Sequence, residues 1–329
     1  MSETNHAPMT IGLMPAGLTR MFGDLRSIIT LAQVVEDAGF DEFLLGDHVV
    51  MGDRLDRYPY GAFGYGADLP PIGPQEPWLE VMTTLSVIAG ATSRIRLVPG
   101  VLLAPLRPAV LLAKTAATLD VLSGGRLELG IGVGWQREEY DALGVPYADR
   151  WQRADDVIAA CRALWGNLPS TFESPTVSFR DVFCAPAPTQ SRLPISIGAK
   201  ATLATARRIA QLGDGWFPLT RDPAEIRVGV ALIREAWVGA GRAPAGLGVR
   251  AQGAIRRRRD GHLDVNCMVD EVQSYRAAGA TAIWYALSPG LRLRDLEEAQ
   301  ALVSELMATI RPACAASERV SDHLNGSND

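Results

Sequence analysis

Residues 95–133, IRLVPGVLLAPLRPAVLLAKTAATLDVLSGGRLELGIGV, contain two apolar runs of β type separated by one helical segment. The two runs lie at 95–103 and 126–133. Between them, 108–122 predicts a helix, because proline stands near its first turn and Ser123-Gly124-Gly125 follows its end. A strand, a helix and a second strand in this order are typical of a parallel sheet with helices packed on it. The stretch therefore predicts an α/β fold.

The same alternation runs along the whole chain. Runs of β type lie at 10–15, 40–45, 95–103, 126–133, 194–198, 214–219, 248–255 and 282–287. Helical patterns lie at 25–38, 108–122, 138–143, 150–164, 201–212, 223–239, 269–278 and 293–310. We interpret this order as eight strand–helix pairs, which predict a (β/α)8 barrel (TIM barrel) with a usual core of about 250 residues. A doubly wound open sheet is the alternative, and it needs fewer pairs.

The residues in excess of this core lie in two long insertion loops. One, 49–75, follows strand two; the other, 166–192, precedes strand five and is rich in proline, serine and threonine. Loops of this length are usually functional. No break in composition divides the chain, so we expect one barrel domain over 1–312. A polar tail at 313–329, which we expect to be disordered, follows it.

Composition excludes several functional classes. The net charge of −5 argues against nucleic acid and anionic membranes as partners. No apolar run reaches about 18 residues, and the N-terminus does not resemble a signal peptide. The four cysteines are scattered without a C-x-x-C pair, which is typical of reduced thiols and not of a zinc site. We expect a cytoplasmic protein that acts on a small molecule without a metal.

Polar groups capable of proton transfer are rare at the predicted strand ends. In such barrels the carboxyl ends of the strands carry the active site, and here they hold mainly glycines, apolar residues and amides, with Asp47 and His48 after strand two. An imidazole in water titrates near about 6.5, which suits proton exchange. The acid and the imidazole are our candidate catalytic residues, although Asp47 could instead orient the loop or contact a cofactor. Such a site suits a large planar cofactor that brings its own reactivity.

Glycines and aromatic residues accompany this pair. Gly130, Gly132 and Gly134 lack the full dinucleotide-binding order, because Trp135 follows them. The glycines could let a ring approach the strand backbone, or they could only relieve crowding inside the barrel. Four aromatic residues at strand ends and in the first long loop are predicted to line the substrate pocket: Trp135, Trp216, Tyr60 and Tyr65. Arg107 and Lys114 are interpreted as surface or helix-packing charges.

Three stretches together resemble the bacterial luciferase-like flavin barrels, known as the luciferase-like monooxygenases. They are LGDHVV (45–50), the long segment 93–146 and PISIGAKATLATARRIAQLGDGWFP (194–218). More narrowly, the chain resembles the branch that uses coenzyme F-420, an 8-hydroxy-5-deazaflavin, instead of FMN. In the FMN-using luciferases an arginine stands where this chain has Val133. In the sugar-phosphate dehydrogenases of the deazaflavin branch a glutamate stands where this chain has Trp135.

The resemblance implies a site and an activity. It places His48 beside the reactive edge of the cofactor ring, and it implies a non-proline cis peptide at Gly100-Val101 behind that ring. The implied cofactor contacts are Asp47, Gly100, Val101, Gly132, Val133, Gly134, Gly198 and Ala199. The implied activity is hydride transfer between F-420 and a small, fairly apolar organic substrate, in a homo-oligomer. The alternatives are an FMN-dependent monooxygenase supplied by a separate reductase, and a flavin-binding protein without turnover.

Overall fold

The computed structural model describes residues 7–17, 22–55, 73–166 and 168–315. The strands are β1 (Thr10–Pro15), β2 (Glu42–Leu45), β3 (Arg96–Pro99), β4 (Leu102–Leu103), β5 (Leu129–Gly132), β6 (Ser170–Glu173), β7 (Ser178–Val182), β8 (Ile195–Ala199), β9 (Gly215–Pro218), β10 (Gly248–Gly253) and β11 (Ala282–Leu287). The helices are α1 (Ser27–Asp37), α2 (Val81–Ala91), α3 (Ala109–Ser123), α4 (Arg137–Ala142), α5 (Arg150–Trp165), α6 (Leu203–Leu212), α7 (Pro223–Gly239), α8 (Val265–Ala277) and α9 (Leu296–Ala315).

Parallel strands form an eight-stranded barrel. The strand order is β3-β2-β1-β11-β10-β9-β8-β5-β4, and β3 and β4 are two halves of one barrel strand that is interrupted at Gly100-Val101. A bridge between Leu97 and Leu127 joins the first half to the segment that leads into β5, so the ring closes. The two backbone hydrogen bonds around Leu97, from its N–H to Arg126 and from the Glu128 N–H to its carbonyl, seal this seam. The predicted (β/α)8 barrel is confirmed.

Three parts of the chain depart from the sequence-based expectation. A helix that the sequence patterns did not predict, α2, lies between β2 and β3, and the segment expected as an irregular loop before strand five contains the antiparallel hairpin β6–β7. The last helix continues to Ala315, past the expected boundary at 312, and Cys314 within it is fully buried. Within the described ranges, every helix is too short or too polar to cross a bilayer.

An ion cluster fills the interior at the amino-terminal end of the barrel. The buried guanidinium of Arg250 donates to Glu42, to Glu128 and to the hydroxyl of Ser196. Burial alone would lower the pKa of Arg250, but the two carboxylates outweigh that effect and raise it. Removing one partner of such a cluster costs about 3–5 kcal/mol, because the others stay buried and unpaired.

An apolar layer lies above this cluster. It contains Met14, Leu44, Val98, Phe217 and Trp284, with the Arg250 guanidinium 5.5 Å from the ring centre of Phe217. Both layers are built from residues of the strands themselves, as in other closed barrels. The interior is therefore filled from the amino-terminal end upward, and open space is left only toward the carboxyl ends of the strands.

Candidate active site

A cavity of about 980 Å³ opens at the carboxyl ends of the strands. Its volume lies at the upper end of the range typical of ligand pockets, about 300–1,000 Å³. Its walls are mainly apolar and aromatic, and the aromatic residues are Trp78, Trp135, Tyr147, Trp151, Phe217 and Trp284. In the described part of the chain, acidic, histidine and cysteine side chains form no group of three that could hold a metal ion.

The cavity brings together most of the residues singled out in the sequence. The lining includes Asp47, His48, Gly100, Val101, Gly132, Val133, Gly134, Trp135, Gly198 and Ala199. Four different strand ends supply these residues, so no single motif contains the site. Tyr60 and Tyr65, predicted to line the substrate pocket, lie outside the described residues.

Trp216 does not line the cavity, contrary to the prediction. Its ring is 1% exposed, packs in the core against Gly229 and donates from Nε1 to the Ala199 carbonyl at 2.8 Å. Successive side chains of a strand point to opposite faces. Phe217, the next residue of β9, therefore faces the barrel interior and lines the cavity.

The imidazole of His48 is fixed by a glutamate of the helix that follows β5. Its Nδ1 lies 3.0 Å from Oε2 of Glu139, a residue of α4 that is fully buried. Trp78 and Trp135 meet the imidazole edge-on, with ring centres 4.9 and 6.2 Å away. The carboxylate in contact with this imidazole is thus that of Glu139, whereas the sequence pattern had indicated the adjacent Asp47.

Asp47 organises the loop that carries His48. Its two oxygens accept from the Arg107 guanidinium at 2.6 and 2.9 Å, and one of them also accepts from the Leu103 N–H at 2.8 Å. The Arg107 guanidinium also donates to Glu80. Glu80 in turn caps the start of α2 by accepting from the Thr83 N–H. The interpretation of Arg107 as a surface or helix-packing charge thus missed its pairing with the buried Asp47. Burial opposes its charge, but Asp47 and Glu80 outweigh that and raise its pKa.

The interruption at Gly100-Val101 forms one wall of the cavity. The peptide between them is cis, as the resemblance implied. The Val101 side chain lies directly over two glycines, because a Cβ added to Gly132 would lie 2.4 Å from Val101 Cγ2 and one added to Gly198 would lie 2.9 Å from Val101 Cγ1. These glycines therefore make room for Val101. Gly130 relieves crowding in the same way, since its Cβ would lie 2.3 Å from the Pro99 carbonyl oxygen.

Two tyrosines hold the turn after β5 against this wall. The Tyr140 hydroxyl donates to the Val133 carbonyl, and the Tyr147 hydroxyl donates to the Trp135 carbonyl at 3.0 Å. Burial raises the pKa of the Tyr140 hydroxyl, so it stays protonated and keeps donating at any physiological pH. Gly134 allows the turn because its φ of +68° lies in the left-handed region.

The opposite wall is basic. Arg150, Lys200 and Arg208 line it, beside the first turns of α5 and α6. Arg208 is paired with Asp155, whereas the Arg150 guanidinium lies over the Tyr147 ring at 4.0 Å. Thr202 caps α6 by accepting from the Thr205 N–H. Cations beside a helix amino terminus favour a bound anion.

Sequence reasoning missed several of these residues, and above all Glu139. Its position was detectable, because Gln136, Glu139 and Tyr140 have the i, i+3, i+4 spacing of one helix face. An acid on the same face as a core tyrosine is unusual unless it has a buried partner. Trp78 lies against Gly46 and also lines the cavity.

Comparison with known proteins identifies the family. The luciferase-like monooxygenase family model matches residues 6–260, so the chain belongs to this family. The uncharacterized protein Rv0953c of Mycobacterium tuberculosis is 29% identical over 285 residues, which cover 85% of this chain and 92% of that protein. The FMNH2-dependent dimethylsulfone monooxygenase of Pseudomonas putida is 25% identical over 286 residues, covering 86% of this chain and 62% of that protein.

Solved structures share the fold. The F420-dependent secondary alcohol dehydrogenase in complex with an F420–acetone adduct superposes with a TM-score of 0.73 and 15% sequence identity. The match covers 94% of this chain and 100% of that chain. Monooxygenase RslO1 from Streptomyces bottropensis superposes with a TM-score of 0.68 and 19% identity, covering 93% and 98% of the two chains. Similarity at these identities shows the barrel alone.

The packing of Val101 over Gly132 gives a testable prediction. Gly132→Ala should destabilise the protein by about 1–3 kcal/mol, because the new methyl group displaces Val101 from its place on the wall. Gly132→Ala combined with Val101→Ala should recover most of that loss, since the second change removes the colliding methyl groups. Urea unfolding of the single and double variants measures both effects.

The matched control is Gly239→Ala. A Cβ at Gly239, the last residue of α7, meets no atom within 4 Å, so this change should leave stability equal or slightly higher. Equal stability of wild type and Gly132→Ala, or no recovery in the double variant, would contradict the described packing.

Proposed function

We propose that this protein is an oxidoreductase that moves hydride between coenzyme F-420 and a small, fairly apolar organic substrate. The observation that carries the proposal is the position of His48: an imidazole, held by a buried glutamate, in the wall of a large aromatic cavity. A planar redox cofactor supplies the reactivity that such a wall lacks. With F-420 bound, the cofactor carries hydride on a ring carbon.

Groups at both ends of the cavity support binding of such a cofactor. Val101, Trp78 and Trp135 line the cavity around His48, where we expect the ring system to bind. Lys200, Arg150 and the first turns of α5 and α6 lie where a phosphate-bearing tail would find cations and backbone N–H groups. In this arrangement the protein's residues orient the ring, exclude water and hold one proton.

The choice of F-420 over FMN rests on the turn after β5. Val133 occupies the position where FMN-using luciferases carry an arginine, and its side chain lies in the cavity wall. Trp135 replaces the glutamate of the sugar-phosphate dehydrogenases, which favours a substrate without such a polar group. The aromatic walls also favour an apolar substrate, because they offer contact area and few hydrogen-bonding groups.

A second candidate is an FMN-dependent monooxygenase that receives reduced FMN from a separate reductase. The observation in its favour is the 25% identity to a relative named an FMNH2-dependent monooxygenase. The basic wall serves the phosphate of either cofactor, so it does not separate the two.

A fluorescence titration tests the cofactor. The fluorescence of F-420 should be quenched when the protein binds it, with a dissociation constant in about the micromolar range. FMN should bind at least roughly tenfold more weakly. Lys200→Gln should weaken F-420 binding by roughly tenfold, because it removes a charge-assisted contact, yet leave binding of the phosphate-free deazaflavin unchanged. The matched control is Arg94→Gln, an exposed charge two positions before the first residue of β3, at the opposite end of the barrel. Micromolar FMN binding without F-420 binding would overturn the proposal in favour of the second candidate.

We further propose that two copies of the chain associate through α2 and α3. These helices pack side by side, and their outward residues are largely uncharged: Thr83, Ser86, Val87, Gly90, Val110, Leu111, Val121 and Leu122. Leu111 is 60% exposed and Leu122 is 75% exposed. A charge-poor apolar patch of this kind is typical of a homodimer interface, where the same surface serves both copies.

Sedimentation equilibrium tests this association. Wild type should sediment as a dimer, and Leu122→Glu should shift it toward the monomer, because two buried carboxylates would face an apolar surface. Val228→Glu is the matched control, since Val228 is 71% exposed on α7, outside the proposed interface. A dimer that is unaffected by Leu122→Glu would contradict the assignment.

A further inference from the structure

We propose that Glu139 is a positioning residue that fixes the tautomer and the orientation of His48, so that Nε2 is the atom that takes and returns the proton. The inference rests on the proposed function for its chemistry, but the geometry behind it concerns this chain's own side chains. Neither the family match nor the named relatives assign a part to this glutamate.

Both carboxylate oxygens of Glu139 contact the loop after β2. Its side chain is fully buried; Oε2 lies 3.0 Å from Nδ1 of His48, and Oε1 accepts from the Val49 N–H at 2.8 Å. Both oxygens are therefore engaged by two consecutive residues of the loop after β2. The Val49 bond fixes the carboxylate, and the fixed carboxylate then determines where the imidazole can point.

The tautomer follows from the chemistry of the partners. An ionised carboxylate only accepts hydrogen bonds, so Nδ1 must carry the hydrogen in this contact. In the neutral ring the lone pair is then on Nε2, which is free to accept a proton. The same carboxylate stabilises the imidazolium after proton uptake, because a buried charge next to it is compensated.

This arrangement suits a coupled transfer of a proton and a hydride. A substrate whose carbon gives hydride to the cofactor must also lose a proton from the heteroatom on that carbon, and Nε2 takes it. The heteroatom–hydrogen bond breaks, a double bond to carbon forms, and both electrons of the broken C–H bond leave as hydride. In the reverse direction the imidazolium returns the proton from Nε2.

Gln136 provides a matched comparison on the same turn. Its amide oxygen accepts from the Gly52 N–H at 3.0 Å, and its amide nitrogen donates to the Gly52 carbonyl at 3.2 Å. It thus ties the same two loops together through Gly52 and not through the imidazole. A purely structural part for Glu139 predicts that variants of the two residues behave alike.

The first test observes the imidazole directly and requires no cofactor. Long-range 1H–15N correlation spectra of the histidine rings distinguish the two neutral tautomers, and His48→Gln identifies the signal among the four histidines. About two pH units above the ordinary imidazole value, wild type should show hydrogen on Nδ1. Glu139→Gln should shift the population toward hydrogen on Nε2, because an amide N–H can donate to Nδ1. Gln136→Leu should leave the wild-type tautomer.

The second test is a kinetic double-mutant cycle. Glu139→Gln should lower kcat/KM by roughly 10²-fold or more and leave the cofactor dissociation constant within about threefold. In the His48→Gln background the same change should have little further effect, because its consequence passes through the imidazole. The effect of Gln136→Leu should persist in that background.

The outcomes separate the inference from the proposed function. Hydrogen on Nε2 in wild type, an unchanged tautomer in Glu139→Gln, or full additivity of the two variants would overturn the positioning part. Absence of F-420 binding and turnover would remove the proposed function, while the tautomer measurement would still decide the part played by Glu139.

Discussion

The contact between the buried carboxylate of Glu139 and Nδ1 of His48 is the interaction on which the account of the site depends. It joins the loop after β2 to the helix after β5, across the barrel strand formed by β3 and β4. A glutamate is rarely fully buried unless it is paired, because desolvation penalises an isolated charge. The pairing therefore specifies the position of both loops as well as the direction of the imidazole.

The barrel below makes this pairing possible. The ion cluster around Arg250 and the apolar layer of Phe217 and Trp284 fill the lower interior of the barrel, and the cavity opens above them beside the strand ends. Arg107 performs a second task at that level by holding Asp47, the Leu103 backbone and the start of α2 together through Glu80. Asp47, the buried acid after β2, thus supports the loop, whereas Glu139 contacts the candidate catalytic residue His48.

Much of the fold was predictable because its determinants are local. The helix at 108–122 was bounded by a proline and a glycine pair, and the structure ends α3 at Ser123 with Gly124 in the left-handed region, φ +69°. Helix α2 was absent from the predicted helical patterns because five residues of its sequence, VMTTLSVIAGA, are β-branched and so have low helix propensity. Hairpin β6–β7 was missed because its short strands lie in a segment dominated by turn-forming residues.

The site was predictable in its glycines and in His48, and less so in its partners. Trp216 was misplaced because β9 is buried on both faces, so no alternation of hydrophobicity indicates which side chain faces the barrel interior. Glu139 and Arg107 could not be assigned from neighbouring residues, since their partners lie 91 and 60 positions away in the chain. Such pairs exist only once the barrel has closed.

The most direct test of the account is a crystal structure of the protein grown with F-420. The account predicts the deazaflavin ring against the Val101 wall, with its reactive edge toward His48. Nε2 should be within roughly 2.6–3.2 Å of a substrate heteroatom or of a water in its place, and the anionic tail should lie near Lys200. A ring bound elsewhere, or an imidazole turned so that Nδ1 faces the ligand and Glu139 is left without it, would contradict the account.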